Sequence, residues 1–180
     1  MLRVIAGSAR GTKLLCPDGW AVRPTHDRVK EAVFSMLTGH LPGSFVLDLF
    51  AGTGALGIEA LSRGAEHAVL VDVSEVSLKT VAANLEKTHL THRAHLVKSD
   101  SLVYLQKTDE QFDLIFLDPP YQGDHLANAL KTIAECGILK PGGIIYCETE
   151  GDPPAQAEEL FCVFRDKKYG RARVLLLKEL

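Results

Sequence analysis

Three groups of residues in this 180-residue chain have types and spacings that could do chemistry. The first is Asp118-Pro119-Pro120-Tyr121, which stops the apolar run Phe112–Leu117. An exocyclic amine on a heteroaromatic ring is a weak nucleophile, because its lone pair is delocalised into the ring. It needs acceptors for its N–H groups as positive charge develops on nitrogen. The Asp118 carboxylate and the Pro119 carbonyl supply two. The prolines restrict the turn, so both oxygens converge at little entropic cost. Tyr121 offers a ring on which a base could stack. No cysteine adjoins the prolines, which argues against covalent attack on a pyrimidine ring.

The second group runs from Asp48 through Phe50, Ala51, Gly52, Thr53 and Gly54 to Gly57, between an apolar run and a helical pattern. Gly52 and Gly54 permit a sharp turn and a close ligand approach. The helix that follows offers free N–H groups. Asp72 lies 20 residues after Gly52, where it could hold a ribose diol. NAD and S-adenosylmethionine both carry an adenosine ribose, so loop and Asp72 specify an adenosine-type ligand without choosing between them. Asp48, four residues before Gly52, favours S-adenosylmethionine, since a pyrophosphate has no use for an acid there. Candidate cofactor contacts are Asp48, Phe50, Ala51, Gly52, Thr53, Gly54, Asp72, Val73, Asp100 and Ser101. Asp100 reads equally as an adenine contact and as the N-cap of a helix beginning at Ser101.

The third group is basic. Residues 1–40 hold six Lys/Arg against three acids, and the rest holds 14 against 20. A chain with net charge −3 can still bind nucleic acid if its positive charge sits on one surface.

These residues need positioning elements, and the pattern supplies them. Apolar runs at 45–50, 67–73, 94–97, 112–117 and 143–147 alternate with helical patterns at about 55–63, 75–87, 101–106 and 124–136. Near-continuous apolar strands linked by helices imply a parallel sheet covered on both faces. The runs 160–165 and 173–178, joined by 166–172 with no room for a helix, imply an antiparallel hairpin. The expected fold is therefore α/β and Rossmann-like, with a mostly parallel seven-stranded sheet ending in an antiparallel hairpin. Residues 1–40 are expected to form a hairpin–helix appendage, with 2–6 pairing with 13–16 and Thr25 capping a helix, and residues 41–180 the main domain.

Hydrophobic residues make up 46% of the chain, ordinary for one globular domain. No apolar run approaches the roughly 18 residues that cross a bilayer. The N-terminus lacks the apolar stretch of a signal peptide, so a cytoplasmic protein is expected. The four cysteines are far apart in sequence and form no C-x-x-C pair, which suits neither a zinc site nor a disulfide framework. No metal is expected.

Asp118–Tyr121 resembles the [Asp/Asn]-Pro-Pro-[Tyr/Phe] motif of amino-nitrogen methyltransferases. Nearly the whole chain resembles the bacterial ribosomal RNA small-subunit methyltransferase D family. The segments that carry this are 3–7, 10–14, 23–32 (Arg-Pro-Thr-His-Asp-Arg-Val-Lys-Glu-Ala), 48–63 and 118–121. The resemblance implies methyl transfer from S-adenosylmethionine to a guanine N2 of 16S ribosomal RNA, within an assembling small subunit; a monomer is expected. It implies that the N-terminal segment covers the cofactor and meets RNA, with Arg3, Arg10, Lys13, Arg23 and Arg28 as candidate phosphate contacts. The turn 166–171 is a further candidate. Three competing functions fit less of the chain. An NAD-linked oxidoreductase would leave Asp118–Tyr121 and the hairpin unused. An amino methyltransferase acting on DNA or on protein glutamine shares the motif, but sequence-specific DNA modification calls for a separate target-recognition domain that a chain this small lacks. A noncatalytic RNA-binding module would not need the intact motif.

Overall fold

The computed structural model describes residues 1–20 and 25–180, with side chains in the first helix from Asp27 onward. Arg23 and the Thr25 side chain lie outside the described residues. Seven strands and six α-helices follow one another: α1 (Thr25–Met36), β1 (Phe45–Asp48), α2 (Ala55–Ser62), β2 (His67–Asp72), α3 (Glu75–Thr88), β3 (Ala94–Lys98), α4 (Ser101–Lys107), β4 (Phe112–Leu117), α5 (His125–Cys136), β5 (Leu139–Glu150), α6 (Gln156–Leu160), β6 (Cys162–Tyr169) and β7 (Ala172–Lys178). The sheet order is β3-β2-β1-β4-β5-β7-β6. β1 to β5 are parallel, and β7 runs antiparallel between β5 and β6. The Rossmann-like α/β architecture with its terminal hairpin is as the sequence predicts.

Successive strand residues point to opposite faces, and both faces are buried. Val46, Leu70, Leu114, Phe116, Ile144 and Tyr146 join one core with Ile58 and Leu61 of α2 and Val81 and Leu85 of α3. Leu47, Val69, Ile115, Leu117, Ile145 and Cys147 join the other with Leu105, Leu130 and Ile133. The N-terminal segment packs into the first core through Val4, Ala9, Leu14, Val29, Val33, Phe34 and Leu37. Its hairpin forms with an Arg3–Lys13 bridge and bonds from Val4 N to Thr12 O and from Gly11 N to Val4 O.

Polar groups in α2 and α3 fasten this segment down. Glu59 is fully buried. Its Oε1 accepts from Ala6 N at 3.1 Å and Arg63 Nε at 2.8 Å, and its Oε2 accepts from Ile5 N at 2.9 Å and faces Lys30 Nζ at 3.3 Å. Ser62 bonds to Ala6 O and Ala9 N. Gly7, at φ +86°, lies so near that a Cβ there would stand 1.8 Å from Ser62 O. Buried Asn84 copies a strand edge, accepting from Leu15 N at 2.6 Å and donating to Leu15 O and Thr53 O. One amide thus joins the N-terminal segment to the glycine loop.

Two boundaries differ from the sequence expectation. β6 and β7 extend until only Gly170 and Arg171 join them, so Asp166–Tyr169 is strand rather than turn. Gly170, at φ +63°, supplies the positive φ that such a tight hairpin needs at its first turn position. Asp166, Lys167 and Lys168 are exposed on the sheet edge, where charge discourages pairing with another chain. β5 begins at Leu139, and its register shifts against β4, so Pro141-Gly142 forms an irregularity inside a longer strand.

Candidate functional site

The ligand crevice of an open α/β sheet lies at the carboxyl ends of the strands, where the order reverses. Here the reversal falls between β1 and β4. The chain leaving β1 splits the two directions: Leu49 N donates to Phe116 O on one side, and Ala51 N donates to Val71 O on the other. Gly52 at φ +57° and Gly54 at φ +80° then turn it into α2. Gly57 serves packing. Its N–H donates to Asp48 Oδ2 at 3.0 Å, and a Cβ there would meet Leu70 Cδ2 at 2.7 Å.

Two adjoining cavities open at this point. The outer one, about 560 Å³, is lined by the predicted residues Phe50, Gly52, Asp72, Val73, Asp100, Ser101 and Asp118–Tyr121, together with Leu49, Ser99, Trp20 and His125. The inner one, about 280 Å³, is lined by Ala51 and Thr53 and by Trp20, Cys16, Lys30, Tyr146 and Glu148. Phe50, Gly52, Trp20 and Asp118 belong to both, so Asp118 stands at their junction. Asp48 and Gly54 are buried beneath the loop and line neither.

Asp72 braces the loop: its Oδ2 accepts from Gly52 N at 2.9 Å and its Oδ1 from Ser74 N at 2.8 Å. Each oxygen accepts one such bond and can accept another, and Asp72 lines the outer cavity. Asp100 caps α4, accepting from Leu102 N and Val103 N, while lining the cavity rim. Burial pushes the Asp48 carboxyl up to about 7. The Gly57 N–H opposes that rise, and the charge of Asp72 adds to it. Asp48 Oδ1 is buried without a hydrogen-bond partner. A ligand ammonium acting through water would satisfy that atom, whereas a pyrophosphate brings acceptors only. The residues therefore fit the amino-acid end of S-adenosylmethionine better than a dinucleotide.

Burial also raises the Asp118 carboxyl well above its ordinary range, and the charges of Glu148 and Asp48 add to the effect. Tyr121 Oη donates to Glu148 Oε1 at 3.1 Å, and Tyr146 Oη donates to Oε2 at 2.6 Å. Burial first, then Glu148, raises both phenols, which stay protonated donors. Lys30 lines the inner cavity, but its ammonium is engaged, donating to Arg3 O at 2.6 Å and pairing with Glu59.

On the N-terminal surface, Arg3, Arg10 and Arg28 share a groove of about 540 Å³ with Asp27 and Glu31. Arg3 Nε lies 3.6 Å from Asp27. Lys13 is exposed outside this groove. The β6–β7 turn lies at the carboxyl end of β5, since Glu150 pairs with Ala172. Sequence reasoning missed Trp20, Lys30, His125, Tyr146 and Glu148. The one local signal was Glu148 itself, an acid directly after the fifth apolar run.

Asp72→Ala is expected to weaken S-adenosylmethionine binding by roughly 1.5–3 kcal/mol, about tenfold to a hundredfold. Calorimetry checks this. A thermal melt alongside it separates ligand loss from loosening of the Gly52 and Ser74 amides. Unchanged affinity would remove Asp72 from the site.

This sheet order, with a glycine loop after β1 and an acid-Pro-Pro turn after β4, is the fold of the S-adenosylmethionine-dependent methyltransferases. The chain superposes on a solved Escherichia coli structure assigned as a methyltransferase (yhhF) with TM-score 0.87 and 33% identity, covering 98% of this chain and 97% of that one. A Haemophilus influenzae structure assigned as a methylase gives 0.85 and 33%, covering 99% and 98%. The chain belongs to the family described as Conserved hypothetical protein 95, whose profile matches residues 2–178. It is 38% identical to ribosomal RNA small subunit methyltransferase D of Haemophilus influenzae, over 94% of this chain and 89% of that one. It is 36% identical to the Escherichia coli K12 protein of the same name, over 83% and 75%. The family resemblance read from the sequence is thereby borne out.

Proposed function

We propose that this protein transfers the methyl group of S-adenosylmethionine to the exocyclic N2 of a guanine in 16S ribosomal RNA. The observation that carries this reading is the junction at Asp118. There the acid-Pro-Pro-Tyr turn meets the glycine-loop cavity, in a chain whose relatives are named for methylating small-subunit ribosomal RNA. Bound S-adenosylmethionine would supply an electrophilic methyl carbon on a sulfonium; its transfer to the amine would leave a neutral thioether, with the surplus proton on nitrogen released to solvent. Asp72 and the loop amides hold the adenosine end, with Val73, Asp100 and Ser101 around the base, and Asp48 sits under the amino-acid end. Asp118 and the Pro119 carbonyl accept the N–H groups of the target amine, steer its lone pair and stabilise the charge developing on nitrogen. Tyr121 packs against the base.

Residues 1–40 act in this reading as the cover of the cofactor and the RNA-facing part of the molecule, carrying Arg3, Arg10, Lys13, Arg23 and Arg28, with 41–180 as the methyltransferase domain. The protein works as a cytoplasmic monomer on an assembling small subunit. Among the described residues no helix is long and apolar enough to cross a membrane, and no cluster of His, Cys, Asp and Glu suits a metal.

The test is labelled methyl transfer to undermodified small subunits, followed by mapping of the modified nucleoside. N2-methylguanosine in 16S RNA is expected. Label on adenine or cytosine would overturn the guanine assignment, and binding of NAD in place of S-adenosylmethionine would overturn the class. Neutralising Arg10 or Arg28 singly should weaken RNA binding and flatten its log–log salt dependence by about one unit each. Unchanged slopes would place the RNA elsewhere, with the Lys167–Arg171 edge the next surface to examine.

A further inference from the structure

Glu148 is a carboxylate that the chemistry above does not use. It follows the apolar part of β5, and the parallel pairing of Leu117 with Cys147 brings it level with Asp118 on the neighbouring strand. It is 5% exposed, and both acids line the inner cavity. Its orientation is set before any ligand arrives, because each oxygen accepts one tyrosine hydroxyl, from Tyr121 and from Tyr146. Tyr146 is itself held by an edge contact with Phe116 at 5.7 Å, and Phe116 meets Phe34 at 5.5 Å. The nearby cation, Lys30, is committed to Glu59 and the Arg3 carbonyl. Burying a carboxylate beside a second one is unfavourable unless something donates to it.

We propose that Glu148 is the base-selecting residue of the site, its carboxylate accepting the ring N1–H of a guanine whose exocyclic amine lies at Asp118 and Pro119. This rests on the guanine reading above and adds the residue that enforces it. The three exocyclic-amine bases differ at the ring position beside the amine. Guanine carries a hydrogen there and presents three adjacent N–H donors. Adenine N1 and cytosine N3 are acceptors. The two adjoining cavities offer acceptors to match guanine: the Asp118 carboxylate at their junction, the carbonyl of Pro119 on the outer side and the free lone pairs of Glu148 on the inner side. Against adenine or cytosine, Glu148 would face a ring lone pair, and two buried acceptors would go unpaired. A flipped base is read along this same edge. The two tyrosine hydroxyls hold the carboxylate in place and still leave each oxygen a lone pair for the base.

The test uses small-subunit substrates in which the modified guanosine is replaced by 2-aminopurine riboside. That base keeps the exocyclic 2-amine but has an acceptor at ring N1. Wild-type enzyme should prefer guanine in kcat/KM by about tenfold to a hundredfold. Glu148→Gln presents an amide N–H, so it should lose activity on guanine and narrow or reverse the preference, with S-adenosylmethionine affinity retained. A merely structural role would lower both substrates by one factor, and that result overturns the proposal. Equal use of the two bases by wild type also overturns it, and this arm stands even if the variant does not fold. If wild type marks no guanine N2 in any small subunit, the function reading itself has failed, which is a separate result from equal marking of guanine and 2-aminopurine.

Discussion

Replacing Asp118 with alanine should lower methyl transfer at saturating substrates by at least about a hundredfold, with S-adenosylmethionine affinity little changed. The carboxylate is assigned to the target amine, so its removal strikes the step in which nitrogen acquires charge. Near-normal turnover in the variant would show that the acid-Pro-Pro-Tyr turn does not hold the amine. The same residue carries a pH signature. Burial and the charges of Glu148 and Asp48 hold its carboxyl well above the ordinary range. The ionised form is the one that stabilises positive charge, so the acid limb of kcat should lie well above pH 4. The stability effect has the opposite sign. A carboxyl whose folded pKa is raised binds more protons in the native state than in the unfolded state. It therefore penalises folding as pH rises from the ordinary aspartate range through its raised value. Asp118→Asn removes that penalty, and its Tm should exceed the wild-type Tm by a margin that widens with pH over that window. A margin independent of pH would mean that Asp118 titrates normally.

Glu59→Ala should be the most damaging change away from the site. Glu59 is fully buried and holds Ile5, Ala6, Lys30 and Arg63. Its loss strands two hairpin amides and leaves Lys30, itself 5% exposed, without its counterion. Breaking one side of a buried pair costs about 3–5 kcal/mol, or roughly 6–20 °C in Tm at this chain length. Burial already lowers the Lys30 pKa, with Glu59 opposing it. Without Glu59 the ammonium has more reason to shed its proton. A lysine whose folded pKa is depressed binds fewer protons folded than unfolded, so the variant should regain stability as pH rises from that depressed value to the ordinary lysine range. Thermal melts across pH check both points. A loss under about 2 °C, well below that range, would show that the N-terminal segment does not depend on this cluster.

Much of the molecule was legible in the chain itself. FDLIFL or HAVLVD cannot leave either face in water, so the parallel, doubly covered sheet follows from short apolar runs alone. The placement of Asp48, Gly52, Asp72 and Asp118 also followed, because each terminates or adjoins such a run and all ends of a parallel sheet point one way. The cap at Asp100 was visible for the same reason: capping spans three residues. Other features depend on which distant segments become neighbours. Nothing near Glu148 marks it as a partner of Asp118; the β4–β5 register does that. Trp20 is a wall of both cavities, and the segment just before it is tied to Thr53 through Asn84. Lys30 read as one more basic residue until Glu59 enclosed it. Asp166–Tyr169 carries three charges in four positions and read as turn. It is strand because β7 supplies a ladder on one side and solvent accepts the charges at the edge. Periodicity, glycine and proline chemistry act over a few residues, so the sequence by itself determined the elements and the strand ends at which the candidate residues lie. The placing of Glu148 beside Asp118, the Tyr121 half of its tyrosine clamp and the anchoring of the N-terminal segment join residues 25 to 70 positions apart, and only tertiary packing decided them.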